Sequence, residues 1–578
     1  MLFYLVAWTF LFLVCLVIGT AVLRLTAADG YDRESDRAIL AVWLGLVLLA
    51  IALLGISLVL PLSPLVGLGM ALLGVGCSLY FRPVRQDLFR YSRLYSQPRL
   101  SLVGILAIGI AAFSTREVAW FDTGLYHYGV IKWLAEFGTV PGMGLINSRF
   151  GFTSAWFALL APFVSGFLTA RASAVANSFI FYLAIGQWLI SAKASLTADA
   201  RLADRFITIF LGMTLPIAFV IKIPWFMTVS TAPDFPLILL TGIIAWAILL
   251  STRERPLATT LSGSQRLLDV RIIPLILATG AMAIKLNGIA LVPIAILFYL
   301  MGGQLTWKRI AVGLGLPFVL LLPMFLYGYV VIGFPLFPAT LFGLDFPWTI
   351  QVAIAQELEA LPNPWVPTGE KLSWFDQIWQ WLFNLLTQWL PGEKLNILIP
   401  LLLGVSVIAG LQILKKFRQQ HFEGRPWLLL LGATGSMLVM LKSPLLRHGL
   451  GYFAVLPAYW VADQWPSLFR RGGETLGKMF NHVSQTLPQF LSLIWLSVLT
   501  GILMILGATQ HLDYLLLPSR LPTVTLHQAQ VNDVIYLYPT VSTQCWAEEI
   551  PCAIGPIEDD IQLREPTQGI SGGFIYRK

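Results

Sequence analysis

Asp122 lies in Ala119-Trp-Phe-Asp-Thr-Gly-Leu-Tyr-His-Tyr128, shortly after an apolar run at Ser101–Ser114. A carboxylate at the mouth of a membrane helix is costly unless it faces protein or water, and one so placed can take a proton from a hydroxyl nucleophile. Its bland alternative is an interfacial acid that only ends the helix. Three further charged groups occupy comparable places. Asp234, in Ser230-Thr-Ala-Pro-Asp-Phe-Pro236, opens an apolar run, where an acid also caps a helix and complements its dipole. Lys285, in Ala283-Ile-Lys-Leu-Asn-Gly288, interrupts an otherwise continuous apolar stretch and implies a helix, a tight turn and a second helix; a snorkelling interfacial lysine is the plainer reading. Arg447 sits with Lys442 and His448 in Leu441-Lys-Ser-Pro-Leu-Leu-Arg-His448, a short connection between apolar runs. Together these residues suit transfer chemistry: Asp122 as the base, Lys285 and Arg447 as a phosphate clamp, and Asp234 as the acid that orients a cation or the acceptor. Arginine supplies a bidentate fork and lysine a point charge. Tyr126, His127, Arg149 and His448 form a second tier.

The elements that must hold these groups are membrane helices. Of 578 residues, 57% are hydrophobic and 12% charged, and the mean hydropathy is +0.76, which excludes a set of ordinary soluble domains. Apolar runs recur from Leu2–Ala21 to Phe490–Ala508, giving an expected all-α polytopic protein of roughly fourteen transmembrane helices. Several runs are short for an upright span. The first lacks a basic n-region and a cleavage site, so it reads as a retained span. Phe152–Leu168 is apolar enough to cross, yet counting it as a span would turn the later arginine-rich connections outward. Laid along the interface as a juxtamembrane helix, it leaves an excess of Lys and Arg on the side of Arg82, Arg85, Arg90, Arg93 and Arg99. That side is expected to be cytoplasmic. Asp122, Asp234, Lys285 and Arg447 then all fall at the outer ends of helices, and basic residues on that face imply an anionic ligand.

The expected organisation is a set of additional N-terminal helices over 1–100 and a catalytic core over 101–332 with an outer juxtamembrane loop at 115–173. An outer loop or lid at 333–394, C-terminal helices at 395–508 and a small outer domain at 509–578 follow. The lid contains Trp374, Ile378, Trp381 and Leu382 at roughly helical spacing, a pattern of the interfacial belt or of a surface that stacks on sugar or lipid. The terminal domain is polar with strand-like Val534–Tyr538 and Gly573–Tyr576, so a mixed or β-rich unit is expected. Cys545 and Cys552 within it suit a disulfide in an oxidising compartment, whereas Cys15 and Cys77 lie in apolar runs. No P-loop, dinucleotide fingerprint, zinc-ligand spacing or internal repeat occurs, and nothing points to nucleic acid or to a defined metal or cofactor; the sequence is silent on a divalent cation.

In order along the chain, the acid beyond a helix, the juxtamembrane segment, the aspartate opening a later helix and the lysine-containing turn resemble the GT-C membrane glycosyltransferases. Gly333-Phe-Pro-Leu-Phe-Pro338 and the late Arg447 make the pattern most similar to the branch of the protein O-mannosyltransferases and aminoarabinose transferases. The resemblance covers Ser101 to about Trp460. It implies a GT-C-like fold and transfer of a sugar from a polyprenyl-phosphate donor to a glycan, lipid or protein acceptor on the outer face of a membrane, here expected to be a bacterial inner membrane. Two features depart from that pattern: Thr123 stands where many members carry a second acid, and three spans precede the core. A transporter or lipid-linked saccharide flippase would also carry charges in broken helices, but would place them near the bilayer centre in paired halves. A scaffold subunit would need no convergence of acids and cations.

Overall fold

The structure is a computed structural model. It describes residues 1–26, 31, 33–93, 97–197, 199–221, 226–252, 267–360, 394–417, 424–469 and 512–577. Phe490–Ala508 and the tryptophan-rich part of the expected lid lie outside the described residues.

Apolar composition sustained over helical length produces α1 (Leu2–Leu25), α2 (Glu34–Ser57) and α3 (Pro64–Tyr80), then, after the short polar helix α4 (Arg82–Ser92), α5 (Gln97–Ser114). A loop with short helices α6 (Tyr128–Glu136) and α7 (Ala155–Leu160) follows. Then come α8 (Val175–Ser195), α9 (Leu202–Val220), α10 (Asp234–Ser251), α11 (Ile272–Ile284), α12 (Leu291–Met301) and α13 (Trp307–Ile332). The short α14 (Val352–Ala360) precedes α15 (Leu398–Phe417), α16 (Arg425–Lys442) and α17 (Leu446–Phe469). Among the described residues, seven helices are long and apolar enough to cross a membrane, or eight if the bent pair α3 and α4 is one span. The chain is therefore a helical membrane protein. Phe152–Leu168, expected as one interfacial helix, is broken into α7 and two 3-10 turns, because Pro162 and Gly166 interrupt it. None of these pieces is long enough to span.

Burial sorts the helices. Of the most apolar window of α10, 94% is buried, against 28% for α13, so α10 is central and α13 presents Leu314, Phe318 and Val319 to the surroundings. α2 is also central and packs on α11, α13 and α7, which ties the first hundred residues to the rest of the bundle. Its contact with α1 is made by small residues: a Cβ on Gly45 would lie 2.0 Å from the Cys15 carbonyl oxygen, and one on Gly19 would meet Ala41 as closely.

The helix ends form two levels. At one, Arg33 and Arg201 pair with Asp204, Arg201 also with Asp36, and Arg309 with Asp269. Arg24 and Asp87 join α1 to α4 at that same level. At the other level lie the loop 115–173, the turn after α11 and the C-terminal unit. In that unit β1 (Leu526–Val531) pairs antiparallel with β2 (Val534–Pro539), Asn532 taking the positive φ of the two-residue turn. β3 (Ile561–Leu563) pairs with β4 (Phe574–Tyr576), and a disulfide joins Cys545 to Cys552. The unit docks on the bundle through Phe574 N–H to the Pro141 carbonyl (2.9 Å), Leu521 N–H to that of Ala170 (2.8 Å) and Arg171, which pairs with Asp513.

Gly45→Val should lower the thermal unfolding temperature in detergent, since overpacking at a backbone contact costs about 1–3 kcal/mol or more. Gly69→Val, where an added Cβ meets nothing within 4 Å, should leave it nearly unchanged. Equal effects of the two would refute the close α1–α2 contact.

Candidate functional site

Asp122 precedes a single π-helical turn, Thr123–His127, that runs directly into α6. Such turns are wide and energetically poor, and they are found mostly where function requires an altered side-chain direction. This one is held from two sides. Buried Asn147 donates its amide to the Leu125 carbonyl (3.2 Å), and its own side-chain oxygen accepts the Arg149 N–H (3.1 Å). Trp546 N–H of the C-terminal unit donates to the Gly124 carbonyl (3.0 Å).

The approach to Asp234 is fixed by Asn177 on α8. Its fully buried amide donates to the carbonyls of Met227 and Ala232 at 3.1 and 3.0 Å and accepts from the Trp156 indole at 2.8 Å. Lys285 stands at the C-terminal cap of α11, where a cation complements the helix dipole. Ser154 donates to the Ile284 carbonyl (2.6 Å), and Tyr452 of α17 donates to that of Asn287 (2.7 Å), so the turn is tied to both the loop and α17.

These supports bring the four charged residues together as two pairs. Lys285 Nζ donates to Asp234 Oδ1 at 2.5 Å, and Arg447 Nη1 donates to Asp122 Oδ2 at 3.2 Å. The consecutive residues Arg447 and His448 serve both acids, because His448 Nε2 lies 3.7 Å from Asp234 Oδ1 while its Nδ1 shares a 2.6 Å hydrogen bond with the Ser443 hydroxyl. Arg447 also lies over the Trp120 ring, 5.7 Å from its centroid. Both basic residues sit in the first turn of α17, the end at which a helix dipole favours anions. Helix stability does not account for them there; the two acids do.

Thr231 links the acid-bearing segments. Its hydroxyl lies 3.1 Å from His127 Nδ1 and 3.3 Å from the Thr123 hydroxyl. Burial is the main cause that holds His127 down to about 4, the Asp122 and Asp234 charges opposing it. Neutral at physiological pH, His127 is a hydrogen-bonding partner there and a weak base. The same burial, reinforced by the two acids, raises the Tyr126 phenol well above its ordinary value, so it remains protonated. Its ring packs on His127, Phe152 and Phe157. Arg149 follows Asn147 in a 3-10 turn, and its charge reaches Tyr126 as those of Asp122, Asp234 and Arg447 do.

All eight charged, aromatic and histidine candidates named from the sequence thus lie at one end of the bundle. Sequence reasoning missed Thr231, Ser443, Asn177 and Trp120, which orient the candidates. Thr231 and Ser443 stand inside the motifs that carry Asp234 and His448, so their spacing offered a signal; Asn177, within an apolar run, offered only its polarity.

Over residues 1–454 the sequence matches a family described as Domain of unknown function (DUF8201). The chain belongs to this DUF8201 family. The match takes in α1 through the first turns of α17, with Asp122, Asp234, Lys285, Arg447 and His448, and stops short of the C-terminal unit of this DUF8201 member. No curated protein and no solved structure matches the chain.

Lys285→Met should destabilise the fold by about 2–3 kcal/mol by leaving Asp234 buried without its main partner, somewhat less than for a fully buried pair because part of the lysine is exposed. Adding Asp234→Asn should recover much of that loss in chemical unfolding. Additive effects of the two substitutions would mean that the pair does not form.

Proposed function

We propose that this protein is a membrane glycosyltransferase that moves a sugar from a polyprenyl-phosphate carrier to a hydroxyl acceptor at the outer face of a bacterial inner membrane. The observation that carries this reading is the convergence of two acids and two cations from four separate stretches of chain on one level of the bundle. The sequence resemblance to GT-C enzymes assigns the same residues to the same chemistry.

In the proposed reaction, the bond between the sugar C1 and the carrier phosphate oxygen breaks while a new C1–O bond forms to the acceptor. Asp122 takes the acceptor proton. The freed phosphate gains negative charge, which Arg447 and Lys285 stabilise as preorganised cations. Phosphate entry would take Arg447 from Asp122, while Lys285 keeps Asp234 and turns a further N–H to the phosphate, so the incoming charge meets cations that are already in place. Release of Arg447 from Asp122 would free the acid as the donor binds, linking donor occupancy to base availability. Asp234, buried between Lys285 and His448, keeps the lysine in place throughout.

A lipid carrier suits the surroundings. Immediately after the Lys285 turn, an apolar crevice of about 260 Å³ opens between α12 and α16, lined by Ile289, Ala290, Pro293, Ile294, Met437 and Leu441. A prenyl chain lying there would leave its phosphate at the level of the charged residues.

Asp122→Asn should reduce single-turnover transfer from a purified prenyl-phosphate sugar by about 10²–10⁴-fold, because an amide keeps the shape but cannot take the proton. Arg447→Lys should weaken donor use, since an ammonium lacks the guanidinium fork. Wild-type turnover in both variants, folded in detergent, would eliminate this mechanism.

A further inference from the structure

The C-terminal unit reaches the π-turn through one short segment, residues 544–548. Gln544 Nε2 donates to the Phe121 carbonyl at 2.9 Å, and Trp546 N–H donates to the Gly124 carbonyl at 3.0 Å. These contacts bracket Asp122, one on the residue before it and one two residues after. The buried Trp546 ring also fills the space above Gly124, where an added Cβ would lie 2.6 Å from two ring carbons. Beyond the turn, Lys132 on α6 donates to the carbonyls of Ala547 and Glu548 at 3.2 and 2.7 Å. The segment is therefore fastened before, within and after the π-turn.

The segment is itself held rigid. Cys545, between the two contact residues, is bonded to Cys552, which bridges to β2 at Leu537. The Leu537 N–H bonds to the Pro551 carbonyl and the Ala553 N–H to that of Leu537, so the disulfide loop is seated on the hairpin. Trp546 adopts a positive φ, an uncommon backbone state for a bulky residue that holds only where its surroundings determine it.

We propose that Gln544 and Trp546 are positioning residues for Asp122, and that the Cys545–Cys552 disulfide is the staple through which the C-terminal unit sets the geometry of the acid. A π-turn is intrinsically weak, and Asn147 fixes only its centre. The mechanical part of the inference is independent of the glycosyltransferase reading; its catalytic consequence rests on that reading.

The test is hydrogen exchange measured by mass spectrometry on the full-length protein in detergent, comparing wild type, Gln544→Ala, Trp546→Ala and wild type treated with reductant. Amides in peptides spanning 118–127 should exchange about tenfold faster in Trp546→Ala and on reduction, as expected when a backbone hydrogen bond and its packing are lost. α10 should be unaffected. Gln544→Ala, a milder change, should act in the same direction and covers the case in which Trp546→Ala does not fold. Unchanged exchange at 118–127 with faster exchange confined to 540–553 would overturn the proposal. Transfer assays on the same samples separate the two readings. A fall in kcat with KM retained supports the catalytic consequence, whereas faster exchange in a protein whose wild type transfers no sugar supports the positioning and refutes only the enzymatic assignment.

Discussion

Charge in an apolar bundle has to be compensated where it stands, and this constraint organises the molecule. Asp122 and Asp234 enter from two different connections, and both would be costly alone. Arg447 and Lys285 meet them from elements far away in sequence, so the loop at 115–173, the turn after α11 and the start of α17 must come together for any of the four to be tolerated. The other level of the bundle obeys the same rule with Arg33, Arg201, Asp36 and Asp204. The difference lies in what surrounds the charges. On the site side they are joined by a histidine, a phenol, two threonines and an aromatic wall, and an apolar crevice opens beside them.

Paired charges are not spent charges. Under the proposed function, Arg447 would pass from Asp122 to the carrier phosphate while Lys285 keeps Asp234. Small residues serve this arrangement from a distance. Gly45 and Gly19 draw α1 onto α2, and Gly451 brings α17 against Ile238 of α10, which sets Arg447 and His448 beside the acid-bearing end of that helix.

Much of this was legible in the sequence, and the physical reason is that lipid enforces a simple code. Apolar runs must become helices, and a charge that interrupts them must have a purpose. That logic located α1, α2, α10 and α13 and named Asp122, Asp234, Lys285 and Arg447 before any contact was known. It did not reveal the pairing, because which cation meets which acid depends on the packing of helices hundreds of residues apart. Nor did it reveal the π-turn: Thr123–His127 carries no marker that separates it from an ordinary helical start. The continuous helix expected over Phe152–Leu168 fails for a local reason, since Pro162 and Gly166 lie inside it. The hold of Trp546 on Gly124 was equally invisible, as a backbone hydrogen bond and a ring packed over a glycine join residues more than four hundred positions apart, and neither residue type announces the other.

The most direct measurement is an experimental structure of the full chain in lipid nanodiscs with a long-chain prenyl phosphate. The account predicts a phosphate within hydrogen-bond reach of Arg447 and Lys285, its chain entering the crevice between α12 and α16, and Asp122 released from Arg447. A phosphate bound at the opposite level of the bundle, or both ion pairs intact with the lipid elsewhere, would contradict it.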